Sequence, residues 1–320
     1  MDRRGAASAG QVLRSLNSYP LQDGKLTVAT LGQRRPAMIR KERSWWIEVG
    51  RMLGGRASGL AGVLLVLVFV LLALTAPWVA PHDPIAQPAE RLSAPDATYW
   101  LGVDEFGRDI LSRLIYGSRV SLQVGIISVG IALLLGGALG LVAGYYRGWL
   151  DSVIGRVVDI MFAFPTVILI VVLAGVLGPS ISTAMLAIGI VYAPQFARIV
   201  RGPTLAVMQQ QYVAGAHAIG ARRGRVMVRY VLPNIAAPII VQATLSFSTA
   251  ILAEATLSFL GLGIQPPDPS WGAMLGTGRK FMELAPWVAV YPGLAIALAV
   301  LGWNLFGDAL RDALDPRLRQ

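Results

Sequence analysis

The sequence predicts an all-α integral membrane protein of about six transmembrane helices. Three observations carry the prediction. The chain is 55% hydrophobic and only 14% charged, with a mean hydropathy of +0.59, whereas a soluble domain carries about a quarter charged residues. Its apolar residues gather into long runs separated by short polar segments. Its Lys and Arg fall unequally on alternate sides of those runs.

A helix that crosses a bilayer core needs about 20 mostly apolar residues. That length places spans near 58–80, 121–145, 157–178, 181–200, 236–260 and 288–307. With the N-terminus inside, 22 Lys and Arg lie on one side and 6 on the other. The positive-inside rule makes the first side cytoplasmic, so the net charge of +10 is a signal of topology and not of nucleic-acid binding. Residues 1–44 are expected to form a flexible cytoplasmic tail. Residues 45–57 are expected to be an interfacial segment, with Trp45 and Trp46 as anchors. The membrane-spanning body is expected over 58–307, with outer loops 81–120 and 261–287, a cytoplasmic loop 201–235 and a C-terminal tail 308–320.

Each connecting segment has its own pattern. Prolines 81, 84, 88 and 95 keep the first half of loop 81–120 extended or turned. From Asp109, the residues Ile110, Leu111, Leu114, Ile115 and Val120 predict a short amphipathic helix leading into the second span. The Pro-Pro-Asp-Pro turn and Trp271 predict an ordered outer loop that folds back near the membrane. In the cytoplasmic loop, Leu205, Met208, Tyr212, Ala216 and Ile219 lie at helical spacing. Gly220 fits a helix stop, and Pro233 limits continuation into the fifth span. Arg222, Arg225 and Arg229 share a face, opposite Met227, Tyr230 and Val231. They could hold anionic lipid headgroups or face a partner groove.

Within the spans, Gly136, Gly140 and Gly144 recur every four residues, a spacing that lets a second backbone come close. The stripe serves packing inside the chain or a subunit interface. Ionisable groups inside a membrane are functional suspects, which singles out Asp159 and Glu254 as substrate-pathway candidates. Alternatively, Asp159 pairs with Arg156, and Glu254 is a hydrogen-bonded carboxyl at a helix contact. Catalytic chemistry is missing. Cysteine is absent and only His82 and His217 occur, so thiolate and histidine metal sites are excluded. No phosphate-binding G-x-x-x-x-G-K-[ST] loop, H-E-x-x-H or G-x-S-x-G motif is present. The chain is read as a conduit and not an enzyme. An ion-coupled transporter would show inverted repeats with paired acids, and the sequence has neither.

Several long segments resemble the C-type permease subunit of peptide ABC importers, the dipeptide, oligopeptide and nickel group. They are LGVDEFGRDILSRLIYGSRVSL (Leu101 to Leu122), DIMFAFP (Asp159 to Pro165), ARIVRG (Ala197 to Gly202) and EATLSFLGLGIQPPDPSWG (Glu254 to Gly272). The likeness covers roughly residues 45–318. It implies a bundle of the type I importer permease kind. The family's cytoplasmic motif runs Glu-Ala-Ala, three residues, Gly, nine residues, Ile, one residue, Leu-Pro. Laid on this chain, it puts the Gly at Gly220 and Leu-Pro at Leu232 and Pro233. Ala214, Gly215 and Ala216 take the Glu-Ala-Ala positions, and Tyr230 takes that of Ile. The resemblance implies that Tyr212, Ala214, Gly215, Ala216, His217, Gly220, Leu232 and Pro233 couple to an ATPase. It also implies a B-type permease in a heterodimer, two cytoplasmic ATPases holding ATP and Mg, and an extracytoplasmic binding protein in a bacterial inner membrane. No cofactor is expected on this chain itself. Peptides, nickel complexes, glutathione and oligosaccharides all remain possible substrates of such a permease.

Overall fold

The computed structural model describes residues 57–314. The expected tail 1–44, residues 45–56 of the interfacial segment with Trp45 and Trp46, and the end of the C-terminal tail lie outside the described residues. Ten α-helices are described: α1 (Ala57–Val79), α2 (Ile110–Tyr146), α3 (Gly148–Phe162), α4 (Thr166–Leu177), α5 (Ile181–Val207), α6 (Gln211–Ala218), α7 (Arg223–Val226), α8 (Ala236–Phe259), α9 (Trp271–Gly278) and α10 (Trp287–Leu314). Five stretches are long and apolar enough to cross a membrane, and α3 with α4 makes a sixth if the bent pair counts as one span.

Three boundaries differ from expectation. The amphipathic helix at Asp109 and the second span are one helix of 37 residues. Asp109 caps it by accepting from the Ser112 N–H at 2.9 Å, and no proline interrupts the chain before Tyr146, so the outer loop closes there and not at 120. The third span is two helices bent by 91°. Pro165 lacks an N–H and pushes Phe164 out of helical geometry, which ends α3 and starts α4. The helix expected across 205–219 is also two. α5 ends at Val207 and a turn closes through the Gln210 N–H on the Val207 carbonyl at 3.0 Å. Pro233 distorts its helix without ending it: a π-helical turn (Met227–Val231) and a 3-10 turn (Leu232–Ile235) carry the chain from α7 into α8.

Side chains that meet across the bundle fix the helix directions. The Ser128 hydroxyl of α2 donates to the Met185 carbonyl of α5, 57 positions later. A Cβ on Gly136 would strike the Ala193 carbonyl, and one on Gly140 would strike that of Ala197, which keeps the same offset. α2 and α5 are therefore parallel and packed backbone to backbone, small residues every four positions on α2 admitting the carbonyls of α5. Two parallel helices need a return crossing between them, and the bent α3–α4 pair is the chain that makes it. α1 and α10 run antiparallel, since Gly62 lies against Leu305 and Phe306 while Gly302 lies against Leu65. α8 and α10 do likewise, with Gly307 on Leu245 and the Ser248 hydroxyl 2.9 Å from Asn304 Oδ1. The start of α1 and the end of α10 thus share one end of the bundle.

The core forms in two main blocks. Val124, Met185, Ile188, Phe196 and Leu257 close the space among α2, α5 and α8. Phe69, Ile251, Trp271 and Trp303 close that among α1, α8, α9 and α10, with Phe247 stacked on Trp303 at 4.3 Å.

Candidate functional site

The short helix α6 projects from the end of the bundle where α2 and α5 finish. Eight residues are too few for a helix to stand alone in water, so its stability comes from what it rests on. Val213 and Ala216 are buried against Tyr145, Val200, Val226 and Val231. Its end is a Schellman motif. The Ala221 N–H donates to the Ala216 carbonyl at 3.0 Å and the Gly220 N–H to that of His217 at 3.0 Å. Gly220 sits at φ +78°, where a side chain is strained although nothing lies within 4 Å of an added Cβ.

The opposite face of α6 is bare. Tyr212, Ala214, Gly215, His217, Ala218, Ile219 and Gly220 are exposed, Ile219 to 83%. The single face expected for Leu205, Met208, Tyr212, Ala216 and Ile219 is therefore corrected: Ala216 is buried while Tyr212 and Ile219 are exposed. The break after Val207 rotates the second half of the stretch, and Val213 takes the anchoring place. Leu232 and Pro233 are exposed, held by the buried Val231 and Ile235 on either side. Arg222, Arg225 and Arg229 face solvent around the buried Val226. The structure thus brings the motif positions onto one protruding knob. It is apolar and small-featured on its crest, with a basic flank.

Asp159 lies elsewhere, on α3. Its carboxylate meets Arg198 of α5 at 3.2 Å, not Arg156. Arg156 lies one turn back on the same side of α3, and Arg198 reaches Asp159 from α5 across the cleft that all three line. Arg198 also lies over the Phe162 ring at 4.3 Å. One turn further along α5, Arg201 grips Asp151 through two nitrogens, at 2.5 and 2.7 Å. Glu254 is enclosed at the contact of α8 with α9. Its Oε1 accepts from Ser258 at 2.7 Å and from Ser270 at 2.9 Å. Ser270 in turn caps α9 at the Ala273 N–H. Gly136, Gly140 and Gly144 all face α5.

Sequence reasoning overlooked a charged cluster at the end of the loop between α1 and α2. Asp104 meets Arg108 at 2.6 Å and Arg113 at 3.4 Å, all three buried. Arg113 also donates to the carbonyls of Pro84 and Pro267, at 2.9 and 3.2 Å, so one side chain staples the α1–α2 and α8–α9 loops to α2. Burial raises the Glu105 carboxyl above its usual range, partly offset by a backbone hydrogen bond. The three acids and one arginine packed into DEFGRD (Asp104 to Asp109), with positive-φ turns at Gly102 (+78°) just before it and Gly107 (+81°) within it, were the available signal. Trp271 completes the staple. Its indole N–H donates to the Leu114 carbonyl at 2.9 Å, and its ring lies against Gly117.

Comparison with known proteins places this geometry. Residues 136–320 match the binding-protein-dependent transport system inner membrane component family, and residues 44–95 match the N-terminal transmembrane domain of oligopeptide transport permease C. The dipeptide transport system permease protein DppC of Alkalihalophilus pseudofirmus is 46% identical over 86% of this chain and 90% of its own. The di/tripeptide permease DppC of Pseudomonas aeruginosa is 48% identical over 82% and 89%. The glutathione permease GsiD of Escherichia coli O157:H7 is 43% identical over 87% and 92%. Among solved structures, an inward-facing MetNI methionine ABC transporter has a chain similar in fold. Its TM-score is 0.51 at 18% identity, covering 63% of this chain and 96% of its own. The bundle of parallel and antiparallel spans is thus that of an ABC importer permease, and the chain belongs to the binding-protein-dependent transport system inner membrane component family.

Proposed function

We propose that this protein is the permease subunit of an ATP-driven importer of peptides, forming half of the translocation pathway beside a homologous B-type permease. The observation that carries the reading is the knob formed by α6. A helix whose inner face is pinned to the ends of α2 and α5, and whose crest offers mostly small side chains among Tyr212, His217 and Ile219, is shaped to seat in a partner's groove. Its positions are those of the family motif. The partner is an ATPase, two copies of which bind ATP and Mg at the cytoplasmic side. This chain holds no nucleotide and performs no hydrolysis. The outer loops stapled by Arg113 meet an extracytoplasmic binding protein. Both ends of the chain lie in the cytoplasm of a bacterium, and the spans lie in its plasma membrane. Peptides are favoured because the relatives named for di- and tripeptide transport match most of this chain at 46–48% identity. Glutathione, itself a tripeptide, is the second reading, from the similar match to GsiD.

The reading is tested at Gly215, which is exposed and has nothing within 4 Å of an added Cβ. Gly215→Trp leaves α6 folded but fills the crest. The expected result is a permease pair that purifies without its ATPases and takes up no peptide. Normal ATPase retention and uptake by this variant would overturn the assignment.

A further inference from the structure

Between α6 and the bend at Pro165 lies a contact that the coupling surface alone does not explain. α3 has 15 residues, yet only Val158 among them is buried. What joins the rest of it to α5 is a polar cleft of about 440 Å³, crossed by two ion pairs. Arg198 reaches Asp159 and Arg201 reaches Asp151. The acids are eight positions apart on α3 and the arginines three apart on α5, so α3 crosses α5 obliquely and is held at two points along its length.

The pairs are poor candidates for stabilising the fold. The Arg198–Asp159 side chains are 61% and 73% exposed and those of Arg201–Asp151 are 44% and 19% exposed within this chain, and exposed pairs add little to stability. They do fix a position, because the bidentate fork of Arg201 sets orientation as well as distance. The same turn of α5 faces two ways. Val200, between the two arginines, is buried in the cluster that anchors Val213 and Ala216 of α6. A shift of α6 therefore reaches Arg198 and Arg201 within one helical turn, and through them α3. At the far end of α3, Phe162 lies under Arg198, immediately before the 91° bend.

We propose that Arg198 and Arg201 are positioning residues that carry displacement of α6 through Asp159 and Asp151 to α3 and its elbow at Pro165, so that ATPase movement reorients the third span. This rests on the coupling role of α6. The linkage is a two-point clamp across a polar cleft, not a packed interface, so α3 can pivot while staying attached. A sliding apolar contact would transmit less, since it fixes no orientation.

The experiment uses the complete transporter in lipid nanodiscs with spin labels at Val153 of α3 and Val228 beside α7, both exposed. The distance between them is read with and without ATP and vanadate, and ATP hydrolysis is measured alongside uptake of radiolabelled dialanine in liposomes. In the native protein the distance changes on ATP binding. In the Arg198→Gln/Arg201→Gln variant that change is lost, and ATP consumed per dialanine rises about fivefold or more, the size of an ordinary coupling contact. Thermal midpoint and ATPase retention stay as in the native protein. Exchanging the partners, Asp151→Arg with Arg201→Asp, in an otherwise native chain keeps the distance change. A double-Gln variant that still shows the native distance change at native coupling overturns the proposal while sparing the role of α6. A native transporter with no distance change overturns the linkage. ATPases that stay bound to Gly215→Trp at native uptake overturn the reading beneath it.

Discussion

Gly215 lies inside α6 and Gly220 five positions on, just past its end, and the structure assigns them opposite reasons for being glycine. Gly220→Ala puts a Cβ on a residue at φ +78°. The left-handed conformation costs a non-glycine residue about 1–2 kcal/mol. The space around it is empty, so no steric term adds to this. α6 has only Val213 and Ala216 to hold it down, and a loss of that size raises the open population by a factor of about 5–30. The assay is amide hydrogen exchange over residues 212–219 in the assembled transporter and in the permease pair. Gly220→Ala is expected to speed exchange across the whole of α6 while leaving α5 protected. Uptake falls in step with the loosened helix. Gly215→Ala is expected to do the reverse, since glycine inside a helix is about 1 kcal/mol worse than alanine: exchange slows, and any loss of uptake comes from one added methyl on the crest. Unchanged exchange in Gly220→Ala would refute the reasoning, because the motif glycine would then owe its place to contact with a partner and not to backbone geometry.

Other substitutions separate packing from transport. Gly136→Ala, driven into the Ala193 carbonyl, is expected to cost about 1–3 kcal/mol or more by overpacking. Gly130→Ala, with nothing within 4 Å, is expected to stabilise slightly; thermal unfolding in detergent ranks the two. Glu254→Gln keeps an oxygen to accept from Ser258 and Ser270 and is expected to retain both stability and uptake. Glu254→Leu leaves those hydroxyls without their acceptor, at about 1–3 kcal/mol for each buried group. Loss of uptake in the Gln variant at an unchanged thermal midpoint would instead assign the carboxyl to the pathway. Arg113→Ala removes a partner of buried Asp104 and two bonds to the outer loops, a loss on the order of 3 kcal/mol. Limited proteolysis is expected to cut between Pro81 and Arg108 first.

What the sequence made legible follows the physics of each signal. Apolar runs of sufficient length are read directly by the bilayer, so the spans were placed to within a few residues wherever the helix ended near the membrane edge. Where a helix continued past its expected span, as α2 does from Ser121 back to Ile110, hydropathy stopped while the backbone did not. The bend at Pro165 was written in the chain, but an apolar average over 157–178 conceals a single missing N–H. The glycine repeat announced a close approach and could not name α5 as the neighbour, since direction and offset arise only when both helices are placed. The pairing of Asp159 was misjudged for the same reason. Arg156 is near along the chain, but Arg198 is near in space. The Asp104 cluster was hidden because charged residues in a loop look solvated until other loops cover them.

The parallel match of α2 with α5 has a consequence for how the bundle can move. Gly136 and Gly140 of α2 each receive a carbonyl of α5 as a tooth enters a rack, and the next notch lies four residues on, a step of about 6 Å. Half a step sets carbonyl against Cβ along the whole contact. Gradual sliding of one helix on the other is closed to the molecule, and the two travel as a single strut. Whatever alternates between the two faces of the membrane must therefore turn at the edges of that strut.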